Sequence, residues 1–136
     1  MAEYIKAYFI VFIIFIVIDF MWLGLIAKDM YRNKIGFIMK DNFNMVAAIG
    51  FYSIFIIGLM FFVVNKAVVM ESWQYALWAG MFFGLITYAT YDMTNLATLK
   101  DWPLSLTIID IIWGTMLNGA TSIISYYIII SFKLFQ

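Results

Sequence analysis

Residues 7–27 read AYFIVFIIFIVIDFMWLGLIA, an apolar run from Ala7 to Ala27 interrupted by a single ionisable side chain, Asp19. About 20 apolar residues cross a hydrocarbon core as α-helix. Backbone groups in lipid must be satisfied within the segment unless a barrel closes, so helix is forced. The stretch therefore predicts a membrane-spanning helix with a carboxyl group inside it. A signal peptide is the competing interpretation, but Glu3 beside Lys6 makes a poor n-region and no A-x-A-like cleavage site follows. The segment is expected to be a retained first span.

The rest of the chain has the same character. Of its 136 residues, 66% are hydrophobic, 21% aromatic and 12% charged, where a soluble domain carries about 25% charged residues. Three further segments are long and apolar enough to span, which gives predicted helices over about 4–27, 44–64, 73–98 and 104–130. The expected fold is all-α: one integral membrane domain over residues 1–136, an antiparallel up-down transmembrane four-helix bundle with both termini on the same side. Pro103, the only proline, fits the start of the fourth helix, where its missing N–H costs nothing.

In that topology Lys28, Arg32, Lys34, Lys40 and Lys100 fall on one side, and Lys6, Lys66 and Lys133 on the other. The positive-inside rule then predicts a multi-pass protein of the cell membrane with both termini extracytoplasmic. The segment from Lys28 to Phe43 mixes Met30, Tyr31, Ile35, Phe37 and Ile38 with charged residues. It suits either a short helix lying in the interface or an ordered loop. Trp22, Trp73 and Trp102 fall near span ends, where an aromatic belt is expected.

Function classes narrow by absence. With no Cys there is no disulfide or thiolate chemistry, and with no His the commonest metal ligand and neutral-pH proton carrier is missing. Net charge is zero and there is no basic run, so no nucleic-acid partner is expected. No cofactor is implied. Carboxylates and an amide can ligate Mg²⁺ or Ca²⁺, but no repeated short-spaced Asp motif specifies such a site, and no metal is assigned.

What remains is three aspartates inside spans: Asp19 late in the first, Asp92 late in the third and Asp110 early in the fourth. Because the fourth helix runs opposite to the other two, all three lie toward one leaflet, roughly 6–9 Å from the midplane at 1.5 Å per residue. An ionisable group at such depth marks a functional site by default. Helical spacing places Tyr88 and Asn95 on the Asp92 face, and Trp113, Gly114 and Asn118 near Asp110. Tyr91 and Thr94 add polarity to that end of the third helix, and Lys100 is the nearest cation, able to snorkel back toward the cluster. The candidate acid/base or cation-binding carboxyls are Asp19, Asp92 and Asp110. The candidate ligand-contacting residues are Trp22, Tyr88, Tyr91, Thr94, Asn95, Lys100, Trp113 and Asn118.

Other patterns speak to packing. Gly80 and Gly84 open a stripe that continues through Tyr88 to Asp92 at every fourth residue, as close helix packing requires. Gly50 and Gly58 on the second helix are expected to act likewise. Asp19 with Trp22 and Asp110 with Trp113 share a D-x-x-W spacing. Since a two-plus-two duplication would match the first span to the third, the echo points to chance or shared site geometry rather than to a repeat.

The stretches Asp19–Gly24, Tyr88–Pro103 and Asp110–Gly114 resemble a bacterial family of predicted four-span membrane proteins catalogued only as a domain of unknown function. The resemblance covers nearly the whole chain. It implies Asp19, Trp22, Tyr91, Asp92, Thr94, Asn95, Lys100, Trp102, Pro103, Asp110 and Trp113 as motif residues. Asp101 stands where that pattern has Gly, and Asn118 lies outside it. The family supplies no activity.

Three functions therefore compete. The first is a pocket that binds, or processes by acid–base chemistry, an amphipathic or lipid-soluble small molecule, either lipid-like or cationic. The second is a proton-linked small transporter or channel acting as a homo-oligomer. The third is a non-catalytic accessory or assembly protein, in which the polar cluster is packing glue worth about 0.6 kcal/mol per contact.

Overall fold

Burial along the first helix recurs at every fourth residue, Ala7, Val11, Phe15 and Asp19, and this stripe turns the carboxyl group inward. The computed structural model describes residues 2–135. Within them α1 (Ala2–Met21) passes directly into a π-helical turn, Trp22–Ile26. A short helix, α2 (Lys28–Ile35), and a 3₁₀ turn, Gly36–Ile38, follow. The second long helix is α3 (Met45–Leu59), a second π turn, Met60–Val64, and α4 (Asn65–Val69), all continuous. Then come α5 (Trp73–Thr98) and α6 (Leu104–Ser131).

Three of these stretches, Ala2–Ile26, Met45–Val69 and Leu104–Ser131, are long and apolar enough to cross a membrane. The 26 residues of α5 match them in length, but Thr, Tyr and Asp side chains dilute its second half. Outward residues such as Ile13, Ile54, Trp78 and Ile112 are exposed and apolar, as lipid contact requires.

Local chemistry sets the ends. Asn44 caps α3 by accepting from the Ala47 N–H at 3.1 Å, and Ser72 caps α5 by accepting from Tyr75 N–H at 3.2 Å. Pro103 stands at the residue before α6, its carbonyl accepting from the Leu106 and Thr107 amides. The second helix runs past its predicted end at residue 64 to Val69, because Asn65 and Lys66 do not stop a helix. The segment after Ala27 is helical over Lys28–Ile35 rather than a plain loop.

The core joins all four long helices. Phe15 packs against Phe55, and Val11, Ile56, Leu59, Val63 and Leu117 complete its centre. The most extensive interface is between α5 and α6. Gly80 faces Asn118 and Ser122, Gly84 faces Gly114 and Asn118, and the Tyr88 ring lies on Gly114. Residue numbers fall on one helix as they rise on the other, so this pair is antiparallel. A Cβ on Gly80 would sit 2.8 Å from the Asn118 carbonyl oxygen, so only glycine permits the approach. Gly58 contacts the Phe83 ring, whereas Gly50 meets nothing within 4 Å and does not share the predicted packing role.

Two of the tryptophans assigned to an aromatic belt are not at the surface. Trp102 is 8% exposed, and its Nε1 donates to Thr107 Oγ1 at 3.0 Å, bracing the α5–α6 turn. Trp22 is half-buried and stacked on Trp113. Only Trp73 is exposed as expected. In each corrected case an indole partner inside the protein outcompetes the interface.

Replacing Gly84 by Ala is expected to lower stability by about 1–3 kcal/mol through overpacking, read as a fall in the thermal unfolding temperature in detergent. Gly50→Ala, at an open helical site, should leave it unchanged or raise it. Asp101 has φ 59°, a left-handed conformation that costs an L-residue more than glycine. Asp101→Gly is therefore expected to stabilise the chain by about 0.5–1 kcal/mol in the same assay, the sign being the test.

Candidate functional site

Asp19 reaches the interior through the α1 stripe and is 5% exposed. Tyr52 of α3 donates its hydroxyl to Oδ2 at 2.7 Å, and Trp113 of α6 directs its indole N–H at Oδ1 over 3.4 Å. Each oxygen thus has a donor from a different helix. Immediately beyond, the chain loosens into the π turn, which widens the helix by one residue per turn. Trp22 opens that turn, and its ring lies parallel to Trp113 with centroids 4.4 Å apart.

The other two carboxyls come from the tight hairpin. The glycine approach of α5 and α6 carries Asp92 against Asp110, with the two side chains within hydrogen-bonding reach. Asp110 also accepts from the Tyr31 hydroxyl of α2 through Oδ1. Burial pushes the Tyr31 phenol well above its usual range, with the Asp110 bond and charge adding to it, so it stays protonated as a donor. Lys34 Nζ donates to Ser105 Oγ at 2.6 Å, a second tie between α2 and the start of α6. Asp92 is 0% exposed, and neither of its oxygens receives an N–H or hydroxyl from the surrounding side chains. Two ionised carboxylates have nothing to donate to each other, so Asp92 is satisfied only by a proton shared with Asp110 or by a donor from outside the chain.

All three aspartates line one cavity of about 680 Å³. Tyr88 sits among them, with Asp19, Asp92 and Asp110 all acting on it. Trp22 and Trp113 form one wall, and Leu23, Phe51, Phe55 and Ile86 supply apolar surface. Among the described residues no Lys or Arg contributes to the lining. Among the described residues no three carboxylates approach closely enough to hold a metal ion. The D-x-x-W echo has a geometric sense: each Asp and the Trp three residues later face the same space from α1 and α6.

The candidate residues divide. Asp19, Asp92, Asp110, Trp22, Tyr88, Tyr91 and Trp113 line the cavity. Thr94, Asn95, Lys100 and Asn118 do not. The Thr94 hydroxyl turns back to the Thr90 carbonyl at 2.5 Å. Asn95 lies beside Tyr91 on the same helix. Lys100 is exposed in the α5–α6 turn, so the lining has no lysine counter-ion. Asn118 is buried one layer below, its Nδ2 donating to the Gly114 carbonyl at 2.8 Å.

Tyr31 and Tyr52, which donate to two of the three carboxyls, were absent from the sequence prediction. Tyr52 carried a usable signal: a phenol inside an uncharged span must find a partner for its hydroxyl. Tyr31 carried none, because no periodicity fixes where α2 returns to the bundle.

Neither a curated protein nor a solved structure matches the chain. A family model does match, over residues 4–127, a range that holds every residue of the cavity. Its description, a predicted membrane protein, agrees with the apolar helices and their exposed hydrophobic faces. The chain belongs to the predicted membrane protein family DUF2177.

Proposed function

We propose that this membrane protein binds, or processes by acid–base chemistry, an amphipathic or lipid-soluble small molecule in the cavity between α1, α3, α5 and α6. The observation that carries the proposal is the cavity itself, which brings three buried carboxyls and an aromatic wall to a space of ligand size. Pockets for small ligands run to about 300–1,000 Å³ and combine apolar walls with few polar groups. Access from lipid is supported by the rim, where Phe51 of α3 and Ile86, Thr90 and Tyr91 of α5 are exposed. The second span meets α5 mainly through the π turn, α4 and the Phe55–Phe83 contact. Beyond them the two helices part, leaving a sideways opening.

Four antiparallel spans with both termini on one side belong to this proposal. The contact between Glu3 and the Phe135 amide, and the Tyr4–Phe135 ring pair, support the pairing of the two chain ends. The basic residues of α2 and the α5–α6 turn support a cavity toward the cytoplasmic leaflet of the cell membrane. Desolvated carboxyls in such a place suit general acid–base chemistry.

A second function, proton-linked transport by a homo-oligomer, draws on a different observation. Asn118, Thr121, Ser122 and Ser125 form a buried row along α6, each with a polar atom lacking a partner. That row leads away from Asp110 along the α5 interface. Its tight packing against Gly80 leaves little room for water, which is why the binding function stands first.

Native mass spectrometry of protein extracted with its surrounding lipid tests the pocket. Wild type is expected to carry a discrete small-molecule adduct. Thr87→Trp, which fills the cavity, and Asp110→Asn, which removes a carboxylate, should both lose it while keeping wild-type helicity. Bare wild type, or an adduct indifferent to both changes, would remove the support for a binding pocket.

A further inference from the structure

We infer that the ligand head held in this cavity is a protonated amine on an apolar tail; this rests on the pocket proposed above and specifies its ligand. Tyr52 and Trp113 already donate to Asp19, and Tyr31 to Asp110. Thr87 and Thr90 donate to carbonyls of their own helix, Phe83 at 2.8 Å and Ile86 at 2.7 Å. Both oxygens of Asp92 are left over, sealed from bulk water yet part of the cavity wall. Against these two oxygens stands one buried lining donor without a partner, Trp22 Nε1, so among the described residues acceptors remain in surplus and the molecule that fills the cavity must donate.

Charge selects among donors. With no Lys or Arg in the lining, and Lys34 committed to Ser105, a phosphate or carboxylate head would meet three carboxyls and no cation. An ammonium supplies up to three N–H donors and the missing positive charge together. An alcohol supplies one neutral donor. Asp92 and Asp110, sharing one proton, carry one negative charge between them, which a single ammonium matches. Trp22, Trp113 and Tyr88 line the same cavity, and aromatic rings attract a cation further. The tail is accommodated by Phe51, Phe55 and Ile86, which lead from the carboxyls to the exposed rim.

The test uses the full chain in phosphatidylcholine nanodiscs, with empty nanodiscs as reference, and four probes of equal tail: dodecylamine, dodecyltrimethylammonium, dodecanol and dodecyl phosphate. Saturable quenching of tryptophan fluorescence reads binding, since Trp22 and Trp113 line the site. Dodecylamine is expected to bind at least about tenfold more tightly than each of the others. Asp92→Asn, which removes the carboxylate that the ammonium pairs with, should abolish that preference, and helicity checks its fold. The wild-type probe series decides the matter even if the variant does not fold. Equal binding of dodecanol or dodecyl phosphate, blocked by Thr87→Trp, would overturn the amine head and leave the pocket standing. Equal binding of the quaternary probe would overturn the N–H donor requirement, and with it the inference. Absence of saturable binding for all four would defeat both the inference and the pocket.

Discussion

The close approach of α5 and α6 governs the rest of the structure. Gly80, Gly84 and Gly114 remove the side chains that would otherwise hold two helices about 8–10 Å apart. The register they fix continues for two more turns and ends with Asp92 against Asp110. A pair of carboxyls in this position is costly in hydrocarbon. The cost is carried by a rigid hairpin whose packing is nearly independent of the acids themselves, since its tightest contacts lie below them at Gly84 and Asn118.

The remaining elements assemble around that pair by supplying donors. Tyr31 ties α2 to Asp110, and Tyr52 ties α3 to Asp19, which Trp113 in turn links to α6. Two carboxyls thus act as hubs, tying α2 and α3 to α6, with which each shares little direct surface. This explains how a polar site coexists with a gap in the packing: α3 is fastened by Tyr52 and Phe55 at one depth and is free to diverge from α5 at Phe51. Packing glue alone accounts for Asp19, whose oxygens are both engaged. Asp92 differs, since its oxygens receive no N–H or hydroxyl from the surrounding side chains and meet only Asp110.

How much of this was legible in the sequence follows from what each residue signals. Spans are legible because apolar length is a local property, and the π turns within them are not, since no residue in Trp22–Ile26 or Met60–Val64 announces the extra amide. The three acids were legible as costly exceptions in lipid, and Gly80, Gly84, Tyr88 and Asp92 as one helical face. Thr94 and Lys100 stand outside the cavity for a physical reason: a hydroxyl in a helix can satisfy itself on the preceding turn, and a lysine at a helix end finds water more cheaply than a buried carboxylate. Asp101, where the family resemblance has Gly, adopts the left-handed conformation for which glycine is best suited. The family residue was thus a statement about backbone geometry.

The stacked pair Trp22 and Trp113 connects these levels. Each indole is placed by the spacing to its own aspartate, yet the two helices must meet at one depth for the rings to lie parallel, 9° apart. The π turn makes that possible by re-aiming the chain just after Asp19. Were the indoles only membrane anchors, they would face the interface separately and the turn would have no work to do. Their meeting across the cavity closes one side of it and leaves the side between α3 and α5 open. On the proposed binding function, the same residues that shield the carboxyls from water also set the direction from which a lipid-soluble molecule would reach them.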